Sequence, residues 1–87
     1  MDQPDSERFY RAVQFEKEGD FAMALQEYCR IAEEGSANKE VYINLGSLYS
    51  RMNRFSEAMQ CYEKALTLGE DYILYFNIGS MYYKKGE

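Results

Sequence analysis

Asn44 and Asn77 are the side chains of this sequence best suited to hold a ligand. They stand 33 residues apart in near-identical surroundings. A carboxamide offers two donors and an acceptor, so a pair of them can hold a peptide backbone whatever side chains that peptide carries. Reactive chemistry has far less to work with. The sequence has no His, so Ser47 and Ser80 lack a base to activate them, and zinc, haem and most acid–base sites lose their usual groups. The adjacent acids Glu33-Glu34 and Glu70-Asp71 fall at expected helix ends, where carboxylates are normally solvated. No segment resembles a phosphate-binding Gly-rich loop. Cys29 and Cys61 have no Cys-x-x-Cys partner, and in partly apolar helical runs a free Cys packs as a small hydrophobe. The expectation is a binding domain that is not an enzyme, with no metal and no cofactor.

Charge narrows the partner. Ten basic and fifteen acidic residues give a net charge of −5 over 87 residues. That balance opposes nucleic acid, whose binding rests on a concentrated positive footprint, and opposes an anionic membrane surface. No apolar run approaches the roughly 18–20 residues of a membrane span. The start, Met1-Asp2-Gln3-Pro4-Asp5, is acidic and polar rather than a secretory signal. Two isolated cysteines then favour a reducing, cytoplasmic setting. Hydrophobic residues at 46% and charged residues at 29% describe a globular chain, short enough to form one domain at most.

The elements that would carry the Asn pair repeat. Gly35 and Gly69 are 34 apart, and Gly46 and Gly79 are 33 apart. Tyr42-Ile43-Asn44-Leu45-Gly46-Ser47-Leu48-Tyr49 returns as Tyr75-Phe76-Asn77-Ile78-Gly79-Ser80-Met81-Tyr82, identical at five positions and apolar at the other three. Phe21-Ala22-Met23-Ala24-Leu25-Gln26-Glu27-Tyr28 returns as Phe55-Ser56-Glu57-Ala58-Met59-Gln60-Cys61-Tyr62. A fixed period of this length signals stacked supersecondary units. Within each unit the apolar spacing is helical, as at Tyr42, Leu45, Tyr49 and Met52. Glu18-Gly19-Asp20, Met52-Asn53-Arg54 and Lys85-Gly86-Glu87 offer Gly or Asn for left-handed C-caps, and Asp20 and Asp71 can open the helices that follow. The pattern predicts five helices, about 5–18, 21–34, 38–52, 55–68 and 72–85, with short loops and antiparallel neighbours.

The aromatic-x-x-apolar-Gly-x-x-Tyr string followed by Ala-x-x-x-aromatic resembles the tetratricopeptide repeat. The matching residues are Tyr42, Leu45, Gly46, Tyr49, Ala58, Tyr62 and Ala65 in the second unit and Tyr75, Ile78, Gly79 and Tyr82 in the third. In the first they are Ala12, Phe15, Ala24 and Tyr28, with Gly19 at the turn. The late Pro of the family is replaced by Ser36 and Glu70, and Arg8 and Arg11 stand where an aromatic and a Leu are usual, as suits an outward-facing cap. The resemblance implies an all-α fold, a right-handed superhelical stack of antiparallel helix pairs forming one domain over 1–87. Its units would be about 5–38 and 39–71, with a half unit 72–87. The family pattern would begin another helix at Gly86-Glu87, which implies a segment of a longer repeat protein. Gly46 and Gly79 would then let neighbouring helices approach closely.

The resemblance also implies a function, protein–protein interaction. The first helix of each pair lines a concave groove for an extended peptide or helix of a partner. The groove residues would be Phe9, Tyr10 and Val13, then Ile43, Asn44 and Ser47, then Phe76, Asn77 and Ser80. Glu16, Lys17, Glu40, Ser50, Arg51, Ile73, Tyr83 and Lys84 would form the edges. Asn44 and Asn77 resemble the backbone-holding Asn ladder of some members. Heat-shock-tail binders of the family use bases where this chain has Phe9, Ile73 and Asn77, so their carboxylate clamp is not expected. The alternative is a structural segment, or self-association through Tyr75, Ile78, Met81 and Tyr82 on an undercovered fifth helix.

Overall fold

Residues 3–86 are described by a computed structural model, with side chains from residue 6 onward; residues 1, 2 and 87 of the expected domain lie outside the described residues. Pro4 falls in the first turn of α1 (Gln3–Lys17), where its missing N–H would be unpaired in any case. That is why the helix begins two residues earlier than the apolar spacing alone predicts. α2 (Phe21–Glu33) opens on Asp20, whose carboxylate accepts from the Met23 N–H at 3.2 Å. α3 (Lys39–Arg51) starts one residue later than expected because Asn38 is its cap, accepting from the Glu40 N–H at 2.9 Å. α4 (Phe55–Leu68) has no side-chain cap, and Arg54 instead grips Glu57 in its first turn through Nε at 2.9 Å from Oε1. α5 (Tyr72–Lys85) opens on Asp71, which accepts from the Ile73 N–H at 2.7 Å. Gly19, Asn53 and Gly86 have φ of 80°, 62° and 94°, the left-handed values that let each turn close.

The helices pair as α1 with α2 and α3 with α4, and the pairs stack through α2 on α3 and through α5 on both α3 and α4. Two core clusters follow from that order. Ala12, Ala24, Tyr28, Leu45 and Leu48 join α1, α2 and α3. Tyr42, Ile43, Ala58, Tyr62, Ala65, Leu74 and Met81 join α3, α4 and α5. Ala32 and Tyr49 pack against both, so the core runs continuously along the stack. Arg8 and Arg11 of α1 pair with Glu34, the C-cap of α2, and with Glu27 within it, tying the first pair of helices together.

The two repeated glycines are not equivalent. A Cβ on Gly46 would stand 2.6 Å from Cε1 of Tyr62, so here glycine is what allows α3 and α4 to meet. A Cβ on Gly79 would meet nothing within 4 Å, which corrects the expectation of a second close approach. The ring facing Gly46 comes from the following helix, and no helix follows α5 among the described residues. Met81 also departs from expectation. It is 2% exposed and belongs to the core, because the face of α5 that carries it rests on α3 and α4. The large apolar residues that α5 does expose are Tyr72, Ile73, Tyr75, Phe76, Tyr82 and Tyr83.

Candidate functional site

The first helices α1, α3 and α5 frame two adjoining recesses. One, about 440 Å³, lies between α1 and α3 and is lined by Val13, Glu16, Lys17, Asn44, Ser47 and Arg51. The other, about 250 Å³, lies between α3 and α5 and is lined by Ser47, Ser50, Arg51, Asn77, Ser80 and Lys84, with Tyr62 of α4 beneath. Ser47 and Arg51 border both, so the recesses form one polar groove across the stack.

Tyrosines of the core reach through to the groove. Tyr28 is fully buried, yet its hydroxyl donates to Glu16 Oε1 at 2.6 Å and accepts from Asn44 Nδ2 at 3.4 Å. Burial first, and then the bond to Glu16, hold its phenol well above the ordinary pKa, so it stays a neutral donor. One repeat on, the Tyr62 hydroxyl lies 3.3 Å from Ser47 Oγ, which accepts from Asn77 Nδ2 at 3.2 Å. Burial raises the Tyr62 pKa, and the bond to Ser47 pulls it partly back. Each Asn therefore commits one amide N–H to the floor. Among the described residues, neither side-chain carbonyl accepts a hydrogen bond. Both carboxamides are thus fixed in orientation while keeping an acceptor and a donor in reserve.

The edges are charged. Glu16 Oε2 pairs with Arg51 at 3.2 Å, and the Arg51 guanidinium also lies 4.5 Å over the Phe21 ring. Lys84 Nζ donates to the Ser50 and Arg51 carbonyls at 3.1 and 3.3 Å, closing the C-terminal end of α3.

Of the nine residues expected in the groove, Val13, Asn44, Ser47, Asn77 and Ser80 line these recesses. Phe9 turns inward, half-buried, with its ring edge-on to Tyr28 at 6.0 Å. Ile43 lies in the core at 5% exposure. Tyr10 and Phe76 are each 73% exposed and line neither recess. Glu16, Lys17, Ser50, Arg51 and Lys84, expected at the edges, join the lining, whereas Glu40, Ile73 and Tyr83 do not. Tyr28 and Tyr62 were legible only as packing residues. The signal for their second role is a Tyr, rather than a Phe, at both copies of that position.

Residues 40–72, from α3 to the first residue of α5, match the family model of the tetratricopeptide repeat. Two relatives are similar over part of the chain. The rice (Oryza sativa subsp. japonica) probable UDP-N-acetylglucosamine–peptide N-acetylglucosaminyltransferase SPINDLY is 43% identical over 47 residues, covering 54% of this chain. The barley (Hordeum vulgare) protein of the same name is 46% identical over 41 residues, covering 47% of this chain. The matched segments make up 5% and 4% of those two proteins. The helical repeat in the sequence, the stacked pairs of the structure and this match agree: residues 40–72 are a tetratricopeptide repeat, set in an all-α helical-repeat chain.

Proposed function

We propose that the chain is a protein-interaction module that holds an extended segment or helix of another protein in the groove across α1, α3 and α5. Protein–protein interaction is the general role of tetratricopeptide repeats. The observation that supports this groove is the pair Asn44 and Asn77, each anchored by one N–H to a floor hydroxyl and each with its carbonyl unengaged among the described residues. Two such groups on neighbouring repeats can meet backbone N–H groups about three residues apart on a bound segment. The units are about 5–38 and 39–71 with a half unit 72–87, acting as one domain. The chain's role is binding rather than catalysis: the groove's Ser47 hydroxyl is engaged with Tyr62 and Asn77, and the sequence has no His to activate it. The acidic surface disfavours nucleic acid, and the free, half-buried Cys29 and Cys61 suit a reducing, cytoplasmic compartment. Among the described residues no helix is long and apolar enough to cross a membrane.

The test is selection of peptides from a random library against the chain, followed by affinity measurement on Asn44→Ala/Asn77→Ala. Each lost hydrogen bond should weaken binding by about 0.5–1.5 kcal/mol, so the double variant loses about tenfold or more. A double variant that stays folded and binds the selected peptides as tightly as the parent would falsify the groove assignment.

A second reading, self-association, is favoured by the exposed large apolar side chains of α5. Tyr75 and Tyr82 remain candidates for that contact at 49% and 37% exposure, with Ile78 partly buried and Met81 enclosed. Tyr72, Ile73 and Phe76 would extend it. Sedimentation should show a concentration-dependent dimer, and a strict monomer up to about millimolar chain rules it out.

A further inference from the structure

A row of cations runs along one side of the groove. Lys17, Arg51 and Lys84 occupy the last turns of α1, α3 and α5, spaced by 34 and 33 residues, so each stands at the same place in its unit. A cation in a last turn complements the helix dipole and needs no ligand to explain it. The dipole does not explain why these three also line the recesses, as they do. The only acid in the lining is Glu16, and it is paired with Arg51. Among the described residues Lys17 makes no ion pair, and the hydrogen bonds of Lys84 go to carbonyl oxygens. The lining thus holds three cations and one anion in a chain of net charge −5. This positive strip is local, and the acidic surface around it would repel an acidic ligand from everywhere else.

We propose that the groove selects acidic segments, with carboxylates about three residues apart meeting Lys17, Arg51 and Lys84 in turn. This rests on the peptide-groove reading above and adds its specificity. α5 packs directly on α3, at the roughly 8–10 Å of packed helices, and the Glu16–Arg51 pair ties α1 to the other side of α3, so the cations step across the groove by about that distance. A polyproline II segment advances about 9 Å per turn of three residues and returns the same face to the groove at each turn. Its side chains at every third residue therefore keep pace with the repeats. A β-strand places residues i and i+3 on opposite faces and does not. The Asn pair then meets the backbone while the cation row meets the side chains. These are not the positions of the heat-shock-tail clamp, where this chain carries Phe9, Ile73 and Asn77.

The probe is a fluorescein-labelled peptide of three Asp-Pro-Ala triplets, titrated with the full chain by anisotropy. A peptide of three Asn-Pro-Ala triplets and one with its three Asp residues adjacent serve as controls. The spaced acidic peptide should bind at least tenfold tighter than either control, and that advantage should shrink with added salt. Lys17→Gln/Lys84→Gln should erase the advantage, and because both side chains are exposed the helix content should be unchanged. Equal binding of acidic and neutral peptides, equal binding of spaced and adjacent acids, or no binding at about millimolar chain each overturns the proposal. Failure of the underlying groove reading looks different. In that case Asn44→Ala/Asn77→Ala leaves the affinity for both spaced peptides unchanged while the Lys pair still governs the acidic preference.

Discussion

The same substitution at the two repeated glycines should act with opposite sign. In a helix interior Ala is favoured over Gly by about 0.8–1 kcal/mol. At Gly79 a Cβ meets nothing within 4 Å, so Gly79→Ala should collect that gain in full and raise the melting temperature by about 4–8 °C. At Gly46 the new Cβ would stand 2.6, 2.8 and 3.0 Å from Cε1, Cδ1 and Cζ of Tyr62. That ring is 1% exposed and its hydroxyl is engaged with Ser47, so it cannot swing aside without opening the core. Overpacking of this kind costs about 1–3 kcal/mol, against which the helix-propensity gain is set, leaving Gly46→Ala destabilised by about 0–2 kcal/mol. Gly46→Leu should lose more. Urea melts of the parent and the two Ala variants measure the difference, with an unchanged slope showing that unfolding exposes the same surface. Groove binding is a second readout, because moving the Tyr62 hydroxyl disturbs Ser47 and, through it, Asn77. Midpoints shifted alike in sign and size by the two substitutions would show that α3 and α4 do not meet through Gly46, and the packing argument would fall.

Alkali and thiol chemistry give two further checks. Burial is the leading cause of raised phenol pKa at Tyr28, Tyr42, Tyr49 and Tyr62. A folded pKa above the unfolded value of about 10 contributes stability that is complete below pH 10 and lost as the pH rises beyond it. Part of the phenolate absorbance should therefore appear only as the helical circular dichroism disappears; complete ionisation of an intact helical chain contradicts this. The Cys61 thiol is pushed up to about 12 by burial first and then by Cys29 and Glu57, so its thiolate is scarce at neutral pH. Alkylation of Cys61 should be slow in the native chain and fast in urea, with mass spectrometry finding Cys29 and Cys61 unbridged; equal native and denatured rates would count against its burial.

The helices were legible because their boundaries are chemical. Asp20 and Asp71 accept backbone N–H groups, and Gly19, Asn53 and Gly86 take positive φ, so these ends are marked by a residue type with a reason to be there, whereas the Asn38 cap was not foreseen and α4 opens with no side-chain cap. What each face touches was less legible. Ile43 and Phe76 hold the same place in their units, yet Ile43 is 5% exposed and Phe76 73%. Ile43 shares a cluster with Leu74 and Met81 of α5, whereas no further helix among the described residues covers Phe76. Gly46 and Gly79 differ for the same reason. Repetition in sequence records a position within a unit, and burial depends on the neighbour that the unit meets.

Tyr28 and Tyr62 connect that packing to the groove. A Phe at either site would fill the same core volume but leave Asn44 without its partner, or leave Ser47, the partner of Asn77, without the hydroxyl that holds it. Each hydroxyl instead ends a buried ring at the groove floor, where Tyr28 orients Asn44 directly and Tyr62 orients Asn77 through Ser47. The Tyr28 hydroxyl also donates to Glu16, which pairs with Arg51, so the same hydroxyl that fixes the Asn44 carboxamide limits how far one member of the cation row can move. Recognition groups fixed in this way lose little freedom when a ligand arrives, which favours affinity from few contacts. The same coupling makes the groove sensitive to the core. A change that shifts either ring moves a carboxamide, and the two Asn positions cannot be tuned without the helices behind them.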